Sequence, residues 1–422
     1  MQITAKGKLI ILCLALLLTF GIVLCQTFDS SWRDIRKMTL KDHLQMDVVA
    51  SFYKVGKILK NRSFTDFGYN EYQPGAIFYF LIPALGYLIK NSFEVYLFST
   101  IGLNLFILTF LTFLYKKYCG FFNALVFLLI VLFSGPVLLF RFEPVVALFV
   151  VVAILFWQKK GYFKSMLFLG LGTSIKIFPL ILLPYFLILL FKQKQYKKIF
   201  QATFIFVLTN LFILSCYLFL GGKPQEVLTS IKVHSLKPVG VESIPGTILT
   251  YANKLIRGKY PLGIGNYGIF GIRPGYNFLS DNFYNRLWIL PVLIFYFFVL
   301  LKRIKKTFQP EIAFLIINLF VLFYKGSNPQ YFFWYFPLFP LFRLEEEKKF
   351  NYIPELYLIL LILLLTQLIY PYLYNILLDI FYVYGQAKET FYLLSLRNLL
   401  VVFLFVILFK KIFFVTSKNF KN

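Results

Sequence analysis

Two histidines, His43 and His234, are all that the 422 residues contain, which excludes a histidine-rich metal site. Cysteine is nearly as scarce. Cys13, Cys25, Cys119 and Cys216 stand in or beside apolar runs with no paired spacing, so neither a disulfide framework nor a zinc site is indicated and packing remains as their role. Acidic residues number 18 against 44 basic ones, and charged residues of either sign make up only 15% of the chain. No P-loop, dinucleotide fingerprint, HExxH or G-x-S-x-G stands in a suitable context. No cofactor is called for; a carboxylate-bound divalent metal stays open, although no Asp-x-Asp pair occurs in the first long polar stretch.

What the chain does have is apolar surface. It is 59% hydrophobic and 21% aromatic, with a mean hydropathy of +0.74, far more apolar than a soluble globular protein. Repeated runs close to the roughly 20 residues needed to cross a bilayer predict an all-α polytopic membrane bundle, residues 1–422 forming one domain. The net charge of +26 is scattered between apolar runs with no aromatic-and-basic binding module, so a membrane setting and anionic ligands are expected and nucleic acid is not. The N-terminal "LIILCLALLLTFGIVLC" is followed by no small-x-small cleavage site, and an uncleaved first helix is expected.

Short basic connections mark the cytoplasmic side. Lys6 with Lys8, Lys116 with Lys117, Lys159 with Lys160 and Lys164, "KQKQYKK" at 192–198, "KRIKK" at 302–306, "RLEEEKK" at 343–349 and the C-terminal "KNFKN" all fall inside if neighbours are separated by even numbers of crossings. About twelve transmembrane helices, with both termini inside and with 310–324 and 331–342 as one outward and one returning crossing, satisfy this. Two intervals need interpretation. The short run 74–89, with Pro83 and Gly86, is assigned as a juxtamembrane helix within a first external loop, 26–92. The run 163–191 is too long for one crossing and is divided at "KIFP", because proline ends a helical ladder. Lys176 then lies at an outer turn; a lysine snorkelling to the interface is the plain alternative.

The remaining boundary residues collect on that outer face. They are Asp47, Asp66 and Glu71 in the first loop, Arg141 and Glu143 at an outer turn, His234 and Glu242 in a second long loop over 220–285, and Lys325 with Gln330 at a further turn. A carboxylate beside several cations suits a reaction with a general base and an anionic leaving group, phosphate above all.

Several stretches, in order, carry a resemblance: "MDVVASFYKVGKIL", "YNEYQPGAIFYF", "RFEPVVALFVVVAIL", "GLGTSIKIFPLILLP", "VHSLKPVGVESIPG", "GSNPQYFFWYFPL" and "LSLRNLLV". Together they resemble the C-fold superfamily of integral-membrane glycosyltransferases, most closely glycosyltransferase family 87, the bacterial polyprenol-phosphate mannosyltransferases. Two departures stand out: Arg141-Phe142-Glu143 where the family commonly has Arg-x-Asp, and Lys237 in a segment that usually carries arginine nearby, which keeps the charge and loses the bidentate fork.

The resemblance implies a polyprenyl-phosphate sugar as donor, a lipid or glycan as acceptor, and a multi-pass protein of the cell membrane with an extracytoplasmic site. Asp47 matches the catalytic acidic residue of the first external loop, as general base for an inverting transfer. Arg141, Lys176, His234 and Lys325 are implied as ligands of the donor phosphate, and Glu71, Glu143, Glu242 and Gln330 as substrate-binding residues. A flippase for lipid-linked sugars and a non-catalytic membrane scaffold are the rival classes; an internal repeat would favour the flippase, and none is visible.

Overall fold

The structure is a computed structural model that describes residues 4–28, 40–61, 72–86, 89–90, 92–264, 270–273, 275–301, 308–326, 328–342, 352–373 and 389–415. Among them are sixteen helices and one two-stranded hairpin. The chain packs as two compact units, one built around Met38–His234 together with the first helix, the other from Ser235–Lys302 and Glu311–Asn422.

The first unit contains α1 (Ala5–Phe28), α2 (Leu40–Asn61), α3 (Pro74–Ala84), α4 (Phe93–Cys119), α5 (Phe121–Ser134), α6 (Glu143–Gln158), α7 (Tyr162–Ile175), α8 (Leu183–Lys192), α9 (Tyr196–Phe219) and α10 (Pro224–Leu236). Its helices begin and end where the sequence provides caps. Ser92 accepts a hydrogen bond from Val95 N, Glu94 lies in the first turn of α4 and Lys116 and Lys117 in its last, which complements the helix dipole. Gly135, at φ 67°, ends α5, and Gly135–Phe140 continues as a 3-10 helix.

Two features of this unit differ from the sequence reading. The stretch 26–73 was expected to be loop, yet it carries α2. Its buried residues Leu44, Val48, Ser51, Val55 and Ile58 recur at spacings of four and three, one stripe of an amphipathic helix. Because the other faces are polar, it has no continuous apolar run. The juxtamembrane helix expected over 74–89 is present as the shorter α3, which ends at Ala84, and its Ala76, Ile77, Tyr79, Phe80 and Ala84 are buried within the unit.

The division at "KIFP" is present. Helix α7 stops at Ile175, Lys176 is extended (φ −149°, ψ 131°), and Phe178–Leu182 forms a 3-10 helix before α8. Pro179 explains the stop, because its ring would clash with the carbonyl four residues back, that of Ile175.

The second unit holds α11 (Ile244–Arg257), strands β1 (Leu262–Ile264) and β2 (Phe270–Ile272), α12 (Asp281–Arg286), α13 (Ile289–Leu301), α14 (Pro310–Phe323), α15 (Ile353–Gln367) and α16 (Glu389–Lys410). The strands pair antiparallel, Gly263 opposite Gly271, and their Leu262 and Ile272 join Val239, Val241, Leu249 and Leu394 in a buried cluster. The crossing expected over 331–342 is instead two 3-10 helices, Pro329–Trp334 and Phe336–Leu341. Pro329, Pro337 and Pro340 remove the amide donors that an α-helix would use there.

Among the described residues, seven helical segments are long and apolar enough to cross a membrane: Ala5–Phe28, Phe93–Cys119, Phe121–Phe140, Tyr196–Phe219, Asp281–Leu301, Ile353–Tyr372 and Thr390–Phe414. On that length and composition the protein is membrane-embedded. Four further apolar helices are shorter.

Glycine decides one close approach. A Cβ on Gly75 of α3 would stand 2.4 Å from Ser174 Oγ and 2.6 Å from the Ser174 carbonyl in α7, so the two helices meet only because that side chain is absent. Gly75→Ala is expected to cost about 1–3 kcal/mol through overpacking, measurable as a lowered thermal midpoint of the detergent-solubilised protein; an unchanged midpoint would contradict the approach.

Candidate active site

Four of the residues singled out in the sequence come together in the first unit. Asp47 lies on α2, with Val48 and Ser51 turned into the core. Tyr96 of α4 donates to Ser51 Oγ (3.1 Å) and to the Phe80 carbonyl (3.4 Å), tying α2 to α3 and α4 one turn from Asp47. Arg141 sits in the turn between the 3-10 helix Gly135–Phe140 and α6. Its Nη1 forms an ion pair with Asp47 Oδ2, the carboxylate side chain remaining 36% exposed and the arginine 11%.

Two residues further along, the second pair is deeper. Glu143 opens α6, where the helix dipole favours a carboxylate, and its side chain has no exposed surface. Lys176 Nζ donates to Glu143 Oε1 at 2.5 Å. The ammonium also lies 4.8 Å from the centre of the Phe142 ring, a cation–π contact. Phe142 is itself held edge-on by Tyr72 and Phe80, at 5.7 and 5.8 Å. Glu143 Oε2 makes no hydrogen bond among the described residues.

Asn104, buried in α4, fixes the turn that presents both residues. Its Nδ2 donates to the carbonyls of Leu139 (3.0 Å) and Arg141 (2.9 Å), and its Oδ1 accepts from Tyr79 OH at 2.8 Å. The result is two carboxylate–cation pairs, Asp47 with Arg141 and Glu143 with Lys176. Asp47 is the carboxylate that solvent reaches, and Glu143 is the one that pairs with Lys176. His234 belongs to the same unit, half-buried in the last turn of α10.

The other predicted residues belong to the second unit, and two of them are engaged in main-chain ties. Lys325, 2% exposed, donates to the carbonyls of Ser235 (2.8 Å) and Lys237 (2.5 Å). Burial pulls its ammonium down to about 8, with Asp281 raising and Lys237 further lowering that value. Glu242 lies in the segment leading into α11, with its Oε2 3.8 Å from Arg397 Nη1, and its carbonyl accepts from Arg397 Nη2 at 2.5 Å. Gln330 is buried at the start of the 3-10 helix Pro329–Trp334. In that helix the rings of Tyr331 and Trp334 stack on each other at 3.9 Å.

Arg397 was not among the site residues read from the sequence. It is fully buried in a spanning helix and bonds to Asn398 Oδ1 through Nε (3.1 Å) and Nη2 (2.8 Å), while Asn398 Nδ2 reaches Thr247 Oγ1 at 2.8 Å. The signal was available as an arginine inside "LSLRNLLVVFLF", since an intramembrane cation needs a partner. Glu71 and Asp66 lie outside the described residues. Among the described residues no three His, Cys, Asp or Glu side chains gather as a metal ligand set.

No family model matches the chain, and no curated protein matches it.

Two outcomes follow from the buried charges. Breaking the inner pair with Glu143→Gln is expected to cost about 3 kcal/mol, whereas Glu143→Leu with Lys176→Met recovers most of the loss, because the unpaired ammonium is what costs; equal destabilisation in both variants would refute the pairing. Lys325 gives a pH signature. Its folded value near 8 lies below the ordinary lysine value of about 10.4, so the unfolded chain binds more protons between these limits and stability gains from Lys325 as pH rises from about 8 to 10.4. Lys325→Met should remove that slope in denaturation curves recorded across this range.

Proposed function

We propose that the protein is an integral-membrane glycosyltransferase that takes a sugar from a polyprenyl-phosphate donor and delivers it to a lipid or glycan acceptor, with Asp47 as general base. The observation that carries this reading is the partly exposed Asp47 carboxylate held by Arg141, beside the buried Glu143–Lys176 pair. The arrangement sits where apolar helices break, so a lipid-borne donor can bring its headgroup to the charges while its chain stays in hydrocarbon.

In this mechanism an acceptor hydroxyl attacks the anomeric carbon and gives its proton to Asp47. The bond from that carbon to the phosphate oxygen breaks on the opposite face, its electron pair leaving with polyprenyl phosphate, so the configuration inverts. Arg141 and Lys176 face the charge that develops on the phosphate. His234 of the same unit adds a further cation for the donor phosphate, with mannose the first sugar to test. The proposed topology has about twelve crossings and both termini in the cytoplasm, by the distribution of short basic connections, which places the site on the extracytoplasmic side of the cell membrane.

A flippase for lipid-linked sugars is the second reading. The interrupted helices at Gly135–Phe140 and Phe178–Leu182 favour it, because broken helices with nearby charges also serve transport. One experiment separates the two: transfer of radiolabelled sugar from a panel of polyprenyl phosphates, in membranes containing the native chain or Asp47→Asn. The glycosyltransferase reading expects transfer by the native chain and a loss of at least about 100-fold in the variant, with its thermal midpoint retained. Movement of intact donor across the bilayer without transfer, in both proteins, would replace it with the flippase.

A further inference from the structure

The first unit carries a second charged surface, made of three tight turns. Between Val95 and Gln225 the single acidic residue is Glu143, and that residue is already paired with Lys176. The lysines of the turns α4–α5, α6–α7 and α8–α9 therefore meet no carboxylate from their own stretch of chain. Lys117, Lys159, Lys160, Lys194, Lys197 and Lys198 are all exposed.

Side-chain contacts join the turns into one patch. Lys159 Nζ lies 4.0 Å from the centre of the Tyr118 ring, linking the second turn to the first, and Lys198 Nζ lies 5.0 Å from that of Tyr162, linking the third to the second. Tyr162 packs in turn against Trp157 at 4.6 Å. Helices α4 and α9, which bear Lys117 and Lys198 at their ends, are both long and apolar enough to cross a membrane, so the patch lies where hydrocarbon gives way to water.

An independent observation concerns the backbone. Lys160 (φ 61°) and Lys194 (φ 58°) are the two non-glycine residues with positive φ among the described residues. Both occupy the same place in the same cap. Lys160 N donates to Trp157 O and Gly161 N to Phe156 O, while Lys194 N donates to Phe191 O and Gln195 N to Leu190 O. These are two Schellman caps whose left-handed position is ordinarily glycine. The remaining turn has Gly120 at its positive φ. A lysine held twice in a conformation that favours glycine costs stability, and such strain persists where the side chain has a task.

We propose that this patch binds the headgroups of anionic phospholipids, the lysines engaging lipid phosphates at the bilayer surface. The proposal goes beyond the transferase reading and does not depend on it. Each lysine near an anionic surface contributes about fivefold to retention, so removing two should weaken it about 25-fold.

The test is native mass spectrometry of the full chain in detergent, titrated with phosphatidylglycerol or with zwitterionic phosphatidylethanolamine. The expected result is tighter binding of the anionic lipid, weakened about 25-fold in Lys160→Gly/Lys194→Gly and in Lys117→Gln/Lys197→Gln, with the zwitterionic lipid unaffected. The glycine variant should also melt at or above the native temperature, which separates lost binding from lost folding. Equal affinity for the two lipids, or full retention by both variants, overturns the proposal. So does displacement of the lipid by an equal concentration of inorganic phosphate, which would make this a site for the free anion.

Discussion

A lysine and a glutamate between apolar helices have one acceptable arrangement, and the Glu143–Lys176 pair adopts it. Either charge alone in a low-dielectric interior would cost several kcal/mol, so each requires the other. That requirement fixes two breaks in the chain at once. The start of α6 must deliver Glu143, and the interruption after α7 must turn Lys176 toward it, which an unbroken helix through Pro179 would not do. Phe142 and Arg141 are set by the same turn, and Arg141 in turn meets Asp47. The Asp47–Arg141 pair thus shares its turn with a pair whose carboxylate solvent does not touch.

The two carboxylates differ because of their surroundings. Glu143 is enclosed, opens a helix and has a lysine; Asp47 lies on an amphipathic helix with a third of its side chain exposed. Solvent therefore reaches Asp47, whereas Glu143 is enclosed with the lysine that it holds. In the second unit Lys325 and Arg397 follow the same physical rule with different partners, since both give hydrogen bonds to main-chain carbonyls and so fasten the segment that carries Glu242. Cations among the described residues therefore fasten backbone as well as pair with carboxylates.

Local signals were legible in the sequence and pairings were not. Proline at 179 announced the break beside Lys176, and charges inside apolar runs announced Arg141, Glu143 and Lys325. Helix α2 escaped because its apolar residues form a stripe and not a run, and an apolar-run reading passes over a helix of that kind. The segment at 331–342 was read as a crossing from its composition, although its prolines favour the 3-10 form that it adopts. Nothing in the order of residues states that Arg141 meets Asp47, or that Lys325 bonds to the carbonyls of Ser235 and Lys237. Those contacts depend on the tertiary arrangement, and hydropathy contains no information about it.

The place of Asn104 in α4 bears on the order in which the chain is made. The two carbonyls that it binds lie 35 and 37 residues downstream, so they are synthesised after it. At about 5–20 residues per second, several seconds separate the synthesis of this side chain from that of its partners. Until they are made, the Asn104 amide lacks these two acceptors. Completion of the 135–141 turn supplies them.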